Sequence, residues 1–199
     1  MAEERLGIAE IRAKLAAHQP KLEAAPAGVP GAAAVALVFL ANASGDAELL
    51  FIERALREGD PWSGHMAFPG GRRDPRDSDL AATSSRETRE EVGLELGTPF
   101  ARLDDFANTR AGSLVVSPFV YQIDRRPALT PNREVQSTVW IPVTWLLHPD
   151  SAVDYTISRE SQKVVFPAVR YERYTVWGLT YRILVNLFGV LGREFRPAP

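Results

Sequence analysis

Apolar positions in the first quarter of the chain predict a helix followed by a pair of strands. Between residues 8 and 22 apolar side chains recur at near-helical spacing, which predicts a short amphipathic helix that ends near Pro20. After a linker rich in Pro, Gly and Ala, the apolar, β-prone run 32–40 predicts a buried strand. A turn signal at 42–46 and a second strand at 48–54 complete a predicted hairpin.

The same reading of the second half of the chain predicts more strands and a closing helix. β-prone segments predict strands at 100–109, 114–123 and 138–143, and a hairpin at 154–173. Pro118 lies inside one of these strands, which favours an edge position or a bulge there. Two helices are predicted, a short one at 145–147 and a longer apolar one at 177–191.

The segment 70–94 predicts a glycine turn, a polar loop and a helix that stops at a glycine. Apolar or small side chains recur every four residues from Leu80 to Val92, which indicates one buried helix face. Asp77, Ser78 or Asp79 can cap the start of this helix. Gly93 suits a left-handed cap at its end.

Three carboxylates crowd the end of this predicted helix. Glu87, Glu90 and Glu91 stand at i, i+3 and i+4, so they share one face, in the half of the helix where the dipole disfavours negative charge. Such a cluster invites a counter-ion, and hard divalent cations such as Mg2+ take oxygen ligands. The alternative interpretation is a solvated charged face.

This segment resembles the Nudix box, whose pattern is G-x5-E-x7-R-E-U-x-E-E-x-G-U with U aliphatic. Gly71 and the run from Arg86 to Leu94 match, except that Thr88 stands at a U position. The spacing from Gly71 to Arg86 is one residue longer than the pattern, and Asp77 is the nearest acid where the pattern has its first Glu. The resemblance implies an α/β fold, a Nudix-type α/β/α sandwich with a mixed central sheet.

Within the superfamily the chain resembles the coenzyme A pyrophosphatase branch. That resemblance rests on the one-residue extension, the sequence of the loop 70–77 and a Trp-Gly-x-Thr-x-Arg-Ile-Leu sequence at 177–184. An upstream motif agrees in part, at Leu49, Leu50, Arg54, Gly64 and 68–71. It departs where Ala55 replaces Ser and Trp62 replaces His.

The resemblance also implies roles for single residues. Glu87, Glu90 and Glu91, with the Gly71 carbonyl, would hold Mg2+ or Mn2+, and Arg86 would orient a glutamate by ion pairing. The proton acceptor would be a box glutamate such as Glu90 or the downstream Glu134, whose alternative interpretation is a surface acid.

Other residues are candidates for substrate contact. Arg54 and Arg72 are candidates for the diphosphate, because guanidinium matches phosphate oxygens bidentately. Trp62 could stack on a nucleobase or anchor its loop. His65 could act as a base, but packing against Trp62 is favoured. In the C-terminal motif, a core role for Trp177, Ile183 and Leu184 and an acid partner for Arg182 are favoured over substrate contact.

Composition narrows the class of protein. The 199 residues are expected to form one Nudix hydrolase domain, residues 1–199, with the N-terminal helix and linker at 1–31 and the box at 71–94. A formal net charge of −2 indicates neither nucleic-acid nor membrane binding. The absence of cysteine excludes disulfides and thiol chemistry. With no visible signal sequence, a cytoplasmic location is expected.

The function implied is metal-dependent hydrolysis of a small nucleoside diphosphate compound. The leading candidate is coenzyme A or an acyl-coenzyme A, giving 4′-phosphopantetheine and adenosine 3′,5′-bisphosphate. The alternatives are another nucleoside diphosphate derivative, such as ADP-ribose, a dinucleotide or a nucleotide sugar, and a non-catalytic Nudix-fold sensor. The apolar C-terminal helix could serve a homodimer interface or close the core.

Overall fold

A computed structural model describes residues 6–23, 31–42, 45–59, 62–108, 114–159 and 162–195. Its helices are α1 (Ile8–Ala16), α2 (Leu80–Val92), α3 (Val143–Leu147) and α4 (Gly178–Val190). The strands are β1 (Ala32–Ala41), β2 (Ala47–Arg54), β3 (Met66–Ala67), β4 (Gly70–Arg72), β5 (Ala101–Arg102), β6 (Phe106–Asn108), β7 (Leu114–Ile123), β8 (Val135–Pro142), β9 (Ala152–Arg159), β10 (Gln162–Tyr171) and β11 (Tyr174–Trp177). A 3-10 turn, Pro149–Ser151, lies between α3 and β9.

The central sheet is mixed and is built around β1. One edge of β1 pairs in parallel with β7, and the other pairs antiparallel with β2 and β4. β2 also pairs with β3 and β8, while β5 and β6 pair with the far edge of β7. A separate antiparallel sheet contains the strands β9, β10 and β11, with β10 in the middle.

The side chains of β1 explain why this strand is apolar throughout. Leu37 and Phe39 enter a core shared with α1 and α4, and Ala36 and Val38 enter a second core on the α2 side that contains Val92. Because successive residues of a strand point to opposite faces, a sheet covered on both faces needs a continuous apolar run. The predicted α/β/α sandwich with a mixed central sheet is therefore confirmed.

The C-terminal helix closes the larger core. Ile183, Leu184, Leu187 and Phe188 are at most 2% exposed and belong to the same cluster as the apolar residues of α1. Of the two roles left open for this helix by its sequence, the structure supports closure of the core. Within the described ranges no helix is both long and apolar enough to span a bilayer.

The first helix is shorter than predicted. It ends at Ala16 rather than near Pro20, and the segment after it bonds to the loop between β5 and β6 instead. His18 Nε2 lies 2.9 Å from Asp104 Oδ1, and the backbone N–H of Lys21 donates to the same oxygen at 2.9 Å. These tertiary bonds replace the helical ones that the apolar spacing had predicted.

The predicted strand at 100–109 is two short strands, β5 and β6. The break lies opposite Pro118, which has no N–H to donate, and the N–H of Leu103 bonds to the Pro118 carbonyl at 3.0 Å. Pro118 does not mark an edge, since β7 is paired on both sides.

The predicted hairpins are confirmed as β1–β2 and β9–β10, by pairs such as Leu40 with Glu48 and Phe166 with Tyr155. Three strands were not predicted from the sequence: β3, β4 and β11. Of these, β4 lies where a glycine turn was expected. Residues 24–30 of the linker and 43–44 of the turn lie outside the described residues.

Candidate active site

The helix α2 has the caps that its sequence predicts. Of the three candidates for the N-cap, Asp79 takes the position, and its side chain accepts a hydrogen bond from the Ala82 N–H at 2.7 Å. Gly93 has φ 71° and ends the helix in the left-handed conformation. These caps fix which residues of α2 face the sheet.

Small polar side chains bring α2 close to the sheet. Ser84 and Thr88 are fully buried, with Ser84 Oγ 2.7 Å from the hydroxyl of Tyr121 on β7. The Thr88 hydroxyl donates to the Ser84 carbonyl at 2.7 Å, so its burial leaves no unmet donor. The opposing strand contributes Ala34 and Ala36, which leave room for the helix.

Two glycines on β4 lie in close contact with neighbouring segments. A Cβ on Gly70, whose φ is 152°, would lie 2.3 Å from the Ala34 carbonyl oxygen of β1. That clash is with backbone, so this packing requires glycine at position 70. A Cβ on Gly71 would lie 2.5 Å from the carboxyl carbon of Glu87, so that side chain would have to move.

Glu91 is the buried member of the acidic cluster. Its side chain points at β4, where Oε2 accepts the Gly70 N–H at 2.8 Å, and the residue is 3% exposed. Burial raises the pKa of Glu91 to about 8; the Gly70 bond and the charge of Arg54 oppose the shift, while the charges of Glu87 and Glu134 add to it. At neutral pH the metal-free protein therefore holds the Glu91 carboxyl mostly in its protonated form.

Glu87 and Glu90 lie further out and share one partner. Arg86 Nη1 is 3.0 Å from Glu87 Oε1 and 3.1 Å from Glu90 Oε2. The Glu87 side chain is 18% exposed and that of Glu90 is 51% exposed. Burial raises the pKa of Glu87, and the neighbouring charges of Glu90 and Glu134 add to the shift, while Arg86 opposes it.

Arg86 joins the loop 73–79 to the helix. Its Nε and Nη2 bond to the two carboxylate oxygens of Asp77 at 2.9 and 3.0 Å, and Nη2 also donates to the Arg72 carbonyl at 3.1 Å. Asp77 accepts further bonds from the Asp74 N–H and the Thr83 hydroxyl, each at 2.9 Å. The Arg86 bonds, with these two, hold the pKa of Asp77 well below its usual range.

Asp77 makes contacts that sequence reasoning did not predict. The sequence noted it as a candidate N-cap and as the nearest acid to a missing Glu. It is 8% exposed, and its carboxylate fixes the direction of Arg86. Its signal in the sequence was the acid itself, six positions after Gly71, at the place where the pattern has its Glu.

Glu134 lies on the segment before β8, which contacts the acidic end of α2. The Asn132 N–H donates to the Glu91 carbonyl at 2.8 Å, and the charge of Glu134 adds to the raised pKa of both Glu87 and Glu91. Its side chain is 41% exposed and pairs with Arg57, whose Nη2 is 3.1 Å from Oε1. Arg54 lies close enough to Glu91 for its charge to lower the pKa of that carboxyl.

Other candidate residues lie apart from these acids or contact different partners. Trp62 is 44% exposed, and its carbonyl accepts the His65 N–H at 3.1 Å. The His65 ring meets Trp177 edge to face at 4.6 Å, a contact that the sequence did not predict; its packing against Trp62 stays a prediction. Arg72 is exposed, and its carbonyl accepts a bond from Arg86.

The C-terminal motif follows its predicted structural role in its apolar residues. Ile183 and Leu184 are buried, and Trp177 stacks on Tyr155 with ring centres 4.4 Å apart. The guanidinium of Arg182 lies over the Phe106 ring, 5.5 Å from its centre, and the expected acid partner stays a prediction.

The donor types, carboxylates and a backbone carbonyl, are those that a hard divalent cation takes. Among the described residues no three acidic or histidine side chains are arranged to hold one ion as they stand. In this structure Arg86 holds both Glu87 and Glu90.

The chain is similar to a known family and to curated proteins. A family model described as the NUDIX domain matches residues 31–160. The chain is 29% identical over 142 residues to peroxisomal coenzyme A diphosphatase NUDT7 of Mus musculus, covering 68% of this chain and 60% of that protein. It is 29% identical over 178 residues to mitochondrial coenzyme A diphosphatase NUDT8 of Homo sapiens, covering 87% and 73%.

Among solved structures, the fold is similar to that of a MutT/nudix family protein from Enterococcus faecalis. The TM-score is 0.58 at 20% sequence identity, over 94% of this chain and 70% of that chain. The chain spans only 55% and 60% of the lengths of two of the curated relatives that it matches.

Proposed function

We propose a diphosphatase function for this chain, which belongs to the Nudix family. The proposed substrate is coenzyme A or an acyl-coenzyme A, and the proposed cofactor is Mg2+ or Mn2+. The observation that carries the proposal is the carboxylate cluster of α2, in which Glu91 is buried against Gly70 and two more acids surround Arg86. Binding a ligand without turnover would not need three such carboxylates.

In this proposal Glu87, Glu90 and Glu91, with the Gly71 carbonyl, hold the cation. When bound, Mg2+ or Mn2+ would neutralise diphosphate oxygens and lower the pKa of a water. The carboxylate of Asp77 keeps Arg86 in place, and Arg86 in turn holds Glu87 and Glu90 in direction, the role of an outer partner.

The reaction is a hydrolysis in which one bond to the bridging oxygen breaks and one bond from phosphorus to the water oxygen forms. The proton of that water passes to a carboxylate, for which Glu90 and Glu134 are the candidates because both are half-exposed. Arg54 is the candidate for the diphosphate, since its charge already acts on the buried end of the cluster.

The substrate assignment is supported by the upstream and C-terminal motifs and by two relatives named as coenzyme A diphosphatases. The replacement of His by Trp62 in the upstream motif is the feature that favours another nucleoside diphosphate derivative, because its exposed ring is available to a base.

A single domain is part of the same proposal. The N-terminal residues Leu6, Ile11 and Leu15 are buried in one cluster with Leu187 of α4, so the two ends of the described chain share a core. Removal of the N-terminal helix would therefore expose apolar surface of the domain rather than release a separate unit.

The test is hydrolysis of a panel with Mg2+ and with Mn2+, with products separated by chromatography. The panel contains coenzyme A, acetyl-coenzyme A, ADP-ribose, NADH and a diadenosine polyphosphate. Adenosine 3′,5′-bisphosphate from coenzyme A is the expected product. Preference for another compound would mean that coenzyme A is not the main substrate. Ligand binding without any turnover would favour a sensor.

Glu→Gln variants identify the acids that this activity needs. Glu90→Gln and Glu91→Gln should each lower kcat by about 100-fold or more, the scale of losing a proton-transfer group or a ligand that orients one. Glu95→Gln is the matched control, because this side chain is 77% exposed and its oxygen is 3.8 Å from Arg89. Equal activity in all three variants would contradict the site.

A further inference from the structure

The loop between β2 and β3 contains an arginine to which neither the motifs nor the proposed function assigns a role. Arg57 Nη2 lies 3.1 Å from Glu134 Oε1, and the two side chains are 44% and 41% exposed. An ion pair with this much contact with water is weak, so either partner can leave it at small cost.

The backbones of both partners are fixed. The N–H of Arg57 donates to Ser63 Oγ at 2.6 Å, which folds the loop back on itself. The N–H of Ala55 donates to the Glu134 carbonyl at 2.8 Å, which ties the start of the loop to the segment before β8. A change of partners at this position would therefore move the two side chains and not the backbone.

The two partners carry opposite charges and therefore suit different ligands. The segment that carries Glu134 is tied to the acidic end of α2, which is the site proposed for a cation: the Asn132 N–H donates to the Glu91 carbonyl at 2.8 Å, and Asn132 Oδ1 accepts the Glu134 N–H at 2.7 Å. Arg57 is an exposed guanidinium next to that site, and guanidinium binds phosphate oxygens through two parallel hydrogen bonds. Once the ligands bind, Glu134 can therefore pair with the cation and Arg57 with the diphosphate. Each of these contacts is stronger than the ion pair that it replaces.

We propose that Arg57 is a positioning residue that exchanges partners during the reaction. In the resting protein it holds the Glu134 carboxylate, and on binding it turns to the diphosphate of the substrate and releases Glu134 towards the cation and the water. This inference rests on the proposed function, and it gives Glu134 a different partner before and after substrate binds.

The first test is a double-mutant cycle of Arg57 and Glu134. The measured quantity is the affinity for Mn2+, determined by electron paramagnetic resonance without substrate. Arg57→Gln frees Glu134, so Mn2+ should bind about two- to fivefold more tightly, the range expected for a half-exposed pair. In a Glu134→Gln background the same substitution should give no gain. Arg170→Gln removes an exposed arginine of β10 and should change nothing.

Two outcomes of this cycle would overturn the proposal. An equal gain in the Glu134→Gln background would mean that Arg57 acts only as a general positive charge. No gain from Arg57→Gln in either background would mean that the pair does not restrain Glu134 at all. Because binding is measured without turnover, failure of the proposed enzymatic function leaves this result readable.

The second test separates KM from kcat. Arg57→Gln should raise KM for the best substrate of the panel, since the diphosphate loses a bidentate partner. Arg57→Lys keeps the charge but not the fork, so it should restore only part of the loss. An unchanged KM in Arg57→Gln would overturn the proposed contact between Arg57 and the diphosphate.

Discussion

The two arginines beside the acidic cluster are held in opposite ways. Arg86 is 19% exposed, bonds to Asp77 through its Nε and Nη2, and reaches two glutamates and a backbone carbonyl. Arg57 is 44% exposed, and its guanidinium has the Glu134 contact alone among the ion pairs described. One side of the site is a closed network, and the other is a single adjustable contact.

This difference follows from where each arginine stands in the fold. Arg86 lies on α2, whose position is set by its caps and by the glycines of β4, so every partner is presented at a fixed distance. Arg57 lies on a connecting loop, where fewer contacts define the side chain. The rigid side can preorganise ligands for a cation, and the adjustable side can respond to substrate.

Loss of the Asp77 carboxylate should produce the largest difference between the two sides. Asp77→Ala leaves Arg86 largely buried without its bidentate partner, so we expect a loss of about 2–4 kcal/mol in the free energy of unfolding. Arg57→Ala should cost no more than about 1 kcal/mol. Urea unfolding of both variants measures this, and equal losses would contradict the comparison.

The same substitution should affect the proposed chemistry. With Arg86 no longer held, the affinity for Mn2+ or kcat should fall about 10- to 100-fold, the range for removing a partner that orients metal ligands. Asp77→Asn is the matched variant, because it keeps the shape and one acceptor oxygen. It should lie between Asp77→Ala and the unsubstituted protein.

The buried Glu91 makes stability depend on pH within the rigid side. Its pKa is about 8 in the folded protein against 4.5 ordinarily, so the folded state holds a proton that the unfolded chain has released. The free energy of unfolding of metal-free protein should therefore fall as pH rises from 4.5 to 8, by about 1.4 kcal/mol per pH unit at most.

Glu91→Gln removes this dependence. The variant keeps an acceptor for the Gly70 N–H but has no charge to bury, so its advantage over the unsubstituted protein should be largest at pH 8 and absent near pH 4. Glu90→Gln, at a half-exposed side chain, is the control. Urea unfolding with chelator across this pH range measures the effect, and parallel pH profiles would show that Glu91 titrates normally.

Local patterns predicted the rigid side of the site and most of the fold. The apolar run of β1, the caps of α2 and the i, i+3, i+4 spacing of the glutamates are short-range features that the sequence displays directly. Gly71, which lies against the Glu87 carboxylate, also reads from sequence.

Contacts between distant segments could not be predicted in this way. The pair of Arg57 and Glu134 joins residues 77 positions apart, and nothing in either local sequence selects the other. The ring of His65 packs against Trp177 from the second sheet, and no local pattern indicates that contact. Asp77 was visible as an acid, but its burial depends on how the loop folds against α2.

The smallest expected effect concerns the anchor of the adjustable side. Ser63→Ala removes the acceptor of the Arg57 N–H, a half-exposed bond worth about 0.5–1 kcal/mol. Global stability should fall by no more than that, while hydrogen exchange of the amides at 55–59 should become about two- to fivefold faster. Amides of α2 should exchange as before, because no bond to that helix is lost. If the loop exchanges unchanged in Ser63→Ala, its backbone is held by other contacts. If α2 also becomes less protected, the two sides of the site are not independent, and the contrast between them would have to be abandoned.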